Sequence, residues 1–262
     1  MSENLKDKCA IFVSSCDAFS DAWEPFFILF FRYWPDCPFP IYLISNQLKY
    51  DDSRVSTINI FPDKGWASNM AEALNRFSYP YFIYFQEDYF LKNSVDNQKI
   101  CDLFDIMVKE NAACLRLYPS PKPDKPFKNY QSVGLINKNT PYRVSLQSAI
   151  WNTEIFKKLL IPGESGWDME HSGSGHSNLI ENPFLCAKNP AIDYYCTGIV
   201  KGKWNYGAIK FLEKEGIEIK ESGREIEPKK RYRARYLRTL PLVGAFFRLH
   251  YRALGKIKRL LK

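Results

Sequence analysis

Two adjacent carboxylates, Glu87 and Asp88, close an apolar run, PYFIYFQEDYF over residues 80–90. Such a run reads as a buried strand, and charge at its end is costly to desolvate unless something pairs with it. A divalent cation bridging a diphosphate would pair with it, because hard oxygen ligands suit magnesium or manganese. A solvated strand end or a helix cap is the plainer reading of the same two residues. A second acidic cluster, Asp168 and Glu170, lies in the glycine-punctuated stretch GESGWDMEHSGSGHSN (163–178). At a loop-to-helix junction a carboxylate can take a proton as general base or simply cap the helix. His171 and His176 flank Ser172-Gly173-Ser174-Gly175, where an imidazole can ligate a metal or touch phosphate and glycines permit close backbone approach.

The elements needed to position these groups are legible as alternating runs. CAIFVSS (9–15), PIYLISN (40–46), STINI (56–60), the 80–90 run and AACLRLYP (112–119) read as strands. Between them, Ser20 or Asp21 reads as the cap of a helix through residue 34, with Pro25 in its first turn. Residues 65–77 carry apolar side chains at 66, 70, 73, 74 and 77, a helical period, and a further helix is expected over about 94–110. Strands alternating with helices predict an α/β fold built on a mostly parallel, doubly wound sheet. After the proline-rich loop 119–130, SVGLIN (132–137) and YRVSLQ (142–147) read as a hairpin, and 148–160 as a helix. Ligands of such sheets bind beyond the carboxyl ends of the strands. Three of those ends are polar here: Ser14-Ser15-Cys16-Asp17, Ser45-Asn46 and Gln86-Glu87-Asp88.

Composition narrows the class. With 45% hydrophobic and 25% charged residues, the 262-residue chain is globular and long enough for one large α/β domain with an appendage. Its seven cysteines form no Cys-x-x-Cys pair, and their odd number argues for thiols in a reducing compartment. MSENLKDKCA lacks a signal-peptide core, and the apolar run Phe26 to Phe31 is too short to span a bilayer, so a cytoplasmic location is expected. No P-loop, Gly-x-Gly-x-x-Gly or His-Glu-x-x-His pattern occurs, which removes the mechanical signature of ATPases, dinucleotide dehydrogenases and zincins.

The net charge of +8 is unevenly spread: residues 228–262 hold twelve Lys or Arg and no Asp or Glu, and subtracting those twelve leaves −4 for residues 1–227. The chain therefore reads as a body, 1–227, and a basic tail, 228–262. Within the tail, apolar positions 243, 246, 247, 251, 254, 257 and 261 recur at helical spacing beside a stripe of Arg248, Arg252, Lys256 and Arg259. That is the pattern of a helix lying in a membrane interface, so the tail is expected to bind the inner-membrane surface. The acidic body argues against nucleic acid as the partner of KKRYRARYLR (229–238).

Taken with those strand ends, the first-strand loop Ser14 to Asp17, Lys64-Gly65-Trp66-Ala67-Ser68-Asn69, Glu87-Asp88 and Gly166-Trp167-Asp168-Met169-Glu170 resemble the nucleotide-sugar-dependent glycosyltransferases of the GT-A fold. The likeness is strongest to those assembling bacterial surface polysaccharides such as lipopolysaccharide, O-antigen and capsule. It spans roughly residues 9–207, with Glu87-Asp88-Tyr89 standing where the family has Asp-x-Asp. The resemblance implies that Ser14, Asp17, Asn46, Lys64, Ser68, Asn69 and Gln86 contact a nucleoside-diphosphate-sugar. It also implies that Asp88, with Glu87 and His176 as further candidates, holds Mn2+ or Mg2+. Trp167 would stack on a sugar face, Lys203 would clamp the diphosphate, and Asp168 or Glu170 would be the base if the reaction inverts. The acceptor would be a lipid-linked glycan at the inner face of the membrane. Two rival readings stay open: a non-catalytic nucleotide- or sugar-binding protein on the same scaffold, and a membrane- or nucleic-acid-associated scaffold acting through the tail.

Overall fold

The computed structural model describes residues 7–219 and 223–233. The helical stripe expected in the tail lies outside them. The chain divides into two compact units, Met1–Cys196 and Thr197–Lys262.

The first unit opens with β1 (Cys9–Ser14), a 3-10 turn over Asp17–Ala22, and α1 (Trp23–Tyr33). Then come β2 (Ile41–Ser45), β3 (Val55–Asn59), α2 (Trp66–Asn75), β4 (Tyr81–Gln86), β5 (Phe90–Leu91) and α3 (Asn97–Lys109). β6 (Cys114–Arg116), β7 (Lys125–Pro126), β8 (Val133–Ile136), β9 (Ala149–Asn152), α4 (Thr153–Leu159), α5 (Gly166–His176), β10 (Phe184–Ala187) and β11 (Tyr194–Tyr195) complete it. Nine strands form one sheet in the order β3-β2-β1-β4-β9-β6-β10-β8-β7. β3, β2, β1 and β4 are mutually parallel, and β6 is parallel to β10. β9 runs antiparallel between β4 and β6, and β8 runs antiparallel to β10 and β7.

Every residue of β1 is buried, as expected of a central strand covered on both faces. Alternation along β4 sends its aromatic rings to opposite sides. Phe85 packs edge-on against Phe26 and Phe30 of α1, while Phe82 meets Phe77 and, at 5.2 Å, Phe156 of α4.

Three expectations need correction. Residues 132–137 do not pair with 142–147: β8 pairs with β10, and 142–147 form no strand. Side chains claim that segment's backbone instead, with Arg116 bonding the Tyr142 and Arg143 carbonyls and Ser174 Oγ accepting the Val144 amide. Residues 148–160 are not one helix, because Ala149–Asn152 insert as β9 and Asn152 then caps α4 by accepting the Ile155 amide. Neither Ser20 nor Asp21 caps α1; a 3-10 turn leads into it and Ala22 occupies the cap.

In the second unit, β12 (Ile199–Val200) and β13 (Lys203–Trp204) pair antiparallel around Lys201-Gly202, both at positive φ as a two-residue hairpin turn requires. α6 (Tyr206–Lys214) follows, capped by Asn205. Among the described residues, no helix is long and apolar enough to cross a membrane. All seven cysteines are free, and Cys9, Cys101, Cys114 and Cys186 are buried.

Candidate functional site at the carboxyl edge of the sheet

Parallel pairing brings the polar strand ends together. Ser14 at the end of β1 lies beside Gln86 at the end of β4, and Ser45 of β2 beside Asn59 of β3. Asp17 and Asn46 latch reciprocally: the Asn46 amide donates to Asp17 Oδ1 at 2.9 Å, and the Asp17 amide donates to Asn46 Oδ1 at 3.1 Å. Asp17 also accepts the amides of Gln47 and Leu48, so its carboxylate shapes the turn after β2.

The loop before α2 is ordered by its own side chains. Asn69 accepts the Lys64 amide at 3.0 Å and donates to Asp63 at 2.8 Å. Gly65 turns the chain at φ 87°, a conformation that favours glycine. Trp66 reaches across to donate to Ser14 Oγ at 3.0 Å, tying α2 to the end of β1. Ser68 is half-buried in the first turn of α2, and the exposed Lys64 ammonium lies 3.4 Å from Glu72.

Glu87 and Asp88 sit in the tight turn after β4, closed by the Tyr89 amide donating to Gln86 O, and are only 8% and 7% exposed. Burial is the main cause that pushes the Cys16 thiol up, and the charges of Glu87 and Asp63 add to it. Ser14, beside Gln86 in the sheet and bonded by Trp66, brings the ends of β1 and β4 together with the start of α2.

Helix α5 borders the same edge, since a side chain at Gly166 would meet Leu146 and the Trp66 ring. Trp167, in its first turn, is 80% exposed. Asp168 completes a capping box with Ser165: its carboxylate accepts the Ser165 hydroxyl and amide, which hold it below the usual carboxylate range. Glu170 accepts the Leu146 amide at 2.7 Å and the Ser145 hydroxyl at 3.1 Å. His171 and His176 are exposed, and His176 ends α5 roughly 15 Å along its axis from Gly166. Lys203 belongs to the second unit, where it pairs with Glu225. Among the described residues, no three His, Cys, Asp or Glu side chains cluster as a self-contained metal cage.

A group the sequence reading missed is Tyr89, whose buried hydroxyl donates to Leu146 O at 3.0 Å. No local signal marks it, because its partner is far along the chain.

Asp168 gives a pH prediction. A carboxylate whose folded pKa is depressed adds stability above its unfolded pKa, and that stability is lost as pH falls through the folded value. Asp168→Asn is therefore expected to lower the melting temperature at pH 7, by a difference that shrinks as pH falls below the usual carboxylate range, measured by circular dichroism.

The unit defined by this sheet and its polar edge has a GT-A-like α/β fold, with a large, mostly parallel central sheet flanked by helices. No protein-family model matches the sequence, and no curated protein does. Among solved structures, the fold is similar to S. aureus TarS 1–349 in complex with UDP, with a TM-score of 0.52 at 12% identity over 72% of this chain and 60% of that one. TarS 1–349 in complex with UDP-GlcNAc gives a TM-score of 0.47 at 12% identity over 72% of this chain and 58% of that one. The chain thus spans about 60% of the TarS piece it matches. At this identity the likeness is one of fold.

Proposed function

We propose that this chain is a glycosyltransferase that moves a sugar from a uridine-diphosphate donor to a glycan acceptor. The observation that carries the reading is the buried Glu87–Asp88 turn at the carboxyl end of β4, where the ends of β1 and β2 converge. The fold it shares with TarS 1–349, solved in complex with UDP, supports a uridine nucleotide. Two adjacent, buried carboxylates are a hard-oxygen donor set that fits Mn2+ or Mg2+, with Asp88 and Glu87 as the ligands. When bound, that ion supplies positive charge against the departing diphosphate.

The chain's own groups do the rest. The Asp17–Asn46 latch and the Lys64–Asn69 loop shape the nucleotide side of the edge, and Ser14 and Gln86 floor it. Exposed Trp167 offers a ring face to a pyranose, and Asp168 beside it takes the acceptor hydroxyl proton if the reaction inverts. The twelve cations of 228–262 favour an anionic lipid surface, which is where the lipid-linked acceptor of a surface polysaccharide is found.

The test is UDP release from a panel of UDP-sugars, with and without MnCl2, beside calorimetric titration with UDP. Manganese-stimulated release is expected. UDP binding without release under any condition would convert the reading to a binding protein, and neither binding nor release would sink it.

A further inference from the structure

Glu170 is the natural rival to Asp168 as base, yet its bonds point elsewhere. One oxygen, Oε1, accepts both the Leu146 amide at 2.7 Å and the Ser145 hydroxyl at 3.1 Å. The carbonyl of that same Leu146 accepts the Tyr89 hydroxyl at 3.0 Å. Leu146 is thus held at its amide by α5 and at its carbonyl by the residue next to Asp88. Its side chain lies against Gly166, where a Cβ would come within 2.8 Å of Leu146 Cδ1.

The neighbouring residues are fixed from the other side. The Tyr89 ring stacks on Tyr194 with centroids 4.8 Å apart and planes 15° from parallel. The Tyr194 hydroxyl donates to Gln147 Oε1 at 2.7 Å and accepts the Ser148 amide at 3.0 Å. Residues 145–148 belong to no strand, so these side chains provide the bonding a ladder would otherwise give. The Glu170 bonds to Leu146 and Ser145 are charge-assisted, the stronger kind.

We propose that Glu170 and Tyr89 are positioning residues, which through Leu146 brace helix α5 against the Glu87–Asp88 turn and set the orientation of its carboxylates toward a divalent metal–nucleotide. The inference rests on the reading of that turn as the metal–nucleotide site. Tyr89 anchors the turn at both ends: its amide closes it on Gln86, and its hydroxyl ties it to Leu146. Moving either anchor rotates the two carboxylates relative to the strand ends of β1 and β2. Groups that orient a metal ligand in this way typically change metal affinity by about 10–100-fold when removed.

The experiment measures Mn2+ binding to the full-length protein with UDP present, from the free-Mn2+ electron paramagnetic resonance signal, with circular dichroism as the check on folding. Tyr89→Phe and Glu170→Ala are each expected to weaken Mn2+ about tenfold. The double variant is expected to be no worse than either single one, because both act through Leu146. Glu170→Gln keeps an acceptor oxygen and is expected to recover most of the affinity. Mn2+ affinity within twofold of the parent in folded Tyr89→Phe overturns the proposal. So does a Glu170→Gln protein that binds Mn2+ normally but loses turnover as completely as Glu170→Ala, since that marks Glu170 as the base. A parent that binds UDP but no Mn2+ removes the metal reading of the turn instead. The brace is then decided by amide exchange over residues 86–92: faster exchange in Glu170→Ala supports it, and unchanged exchange overturns it.

Discussion

Asp88→Asn is expected to lower UDP-sugar turnover by about 100-fold or more while leaving the protein folded. Glu87 and Asp88 are adjacent acidic residues in a buried turn, where their carboxylates offer hard oxygen ligands to a divalent cation. Asparagine keeps the shape and removes one charge. A cation at the site would lose one of its two anionic ligands, and with it the charge it would supply against the departing diphosphate. Mn2+ with UDP should raise the parent's melting temperature by mass action and leave that of the variant nearly unmoved. Turnover within a few-fold of the parent would show that the metal, if one is used, is held elsewhere. A large drop in melting temperature would show the carboxylate to be a structural partner instead.

The parallel half of the sheet was legible because its signals are local. β1, β2 and β4 are apolar runs that stop at polar residues, and pairing then brings Ser14 beside Gln86 without further information. The capping role of Asp168 was legible for the same reason, since Ser165 lies three residues before it. β9 was not. Ala149-Ile150-Trp151 is too short an apolar run to tell strand from helix, and only the gap between β4 and β6 decides it. YRVSLQ alternates like a strand yet stays irregular, because Arg116, Glu170, Ser174 and Tyr89 take its backbone groups from distant points in the sequence. The Glu87–Asp88 turn could be seen as a polar strand end, whereas the bonds that orient it depend on those same long-range partners. Chemistry carried by adjacent residues is therefore readable here, and its bracing is not.

Trp151 links that misread strand to the stability of the whole edge. It is fully buried in β9, between β4 and β6, with its ring edge-on to Phe156 at 5.0 Å and to Phe184 at 6.0 Å. Trp151→Ala leaves a large cavity in the centre of the sheet, and its expected cost is about 3–5 kcal/mol in urea unfolding. Trp151→Phe should cost less than about 2 kcal/mol. Part of the difference is packing, because phenylalanine keeps the edge-to-face contacts. The other part is polar: the buried Trp151 Nε1 has no hydrogen-bond partner among the described residues, so removing it relieves a desolvated donor. If phenylalanine proves as costly as alanine, the indole nitrogen contributes to the fold and the reading of Nε1 as an orphan donor is wrong. β9 reaches the carboxyl edge only through residues 145–148, which are held by side chains. Turnover per folded molecule should therefore survive Trp151→Phe, while Trp151→Ala loses activity in step with its unfolded fraction.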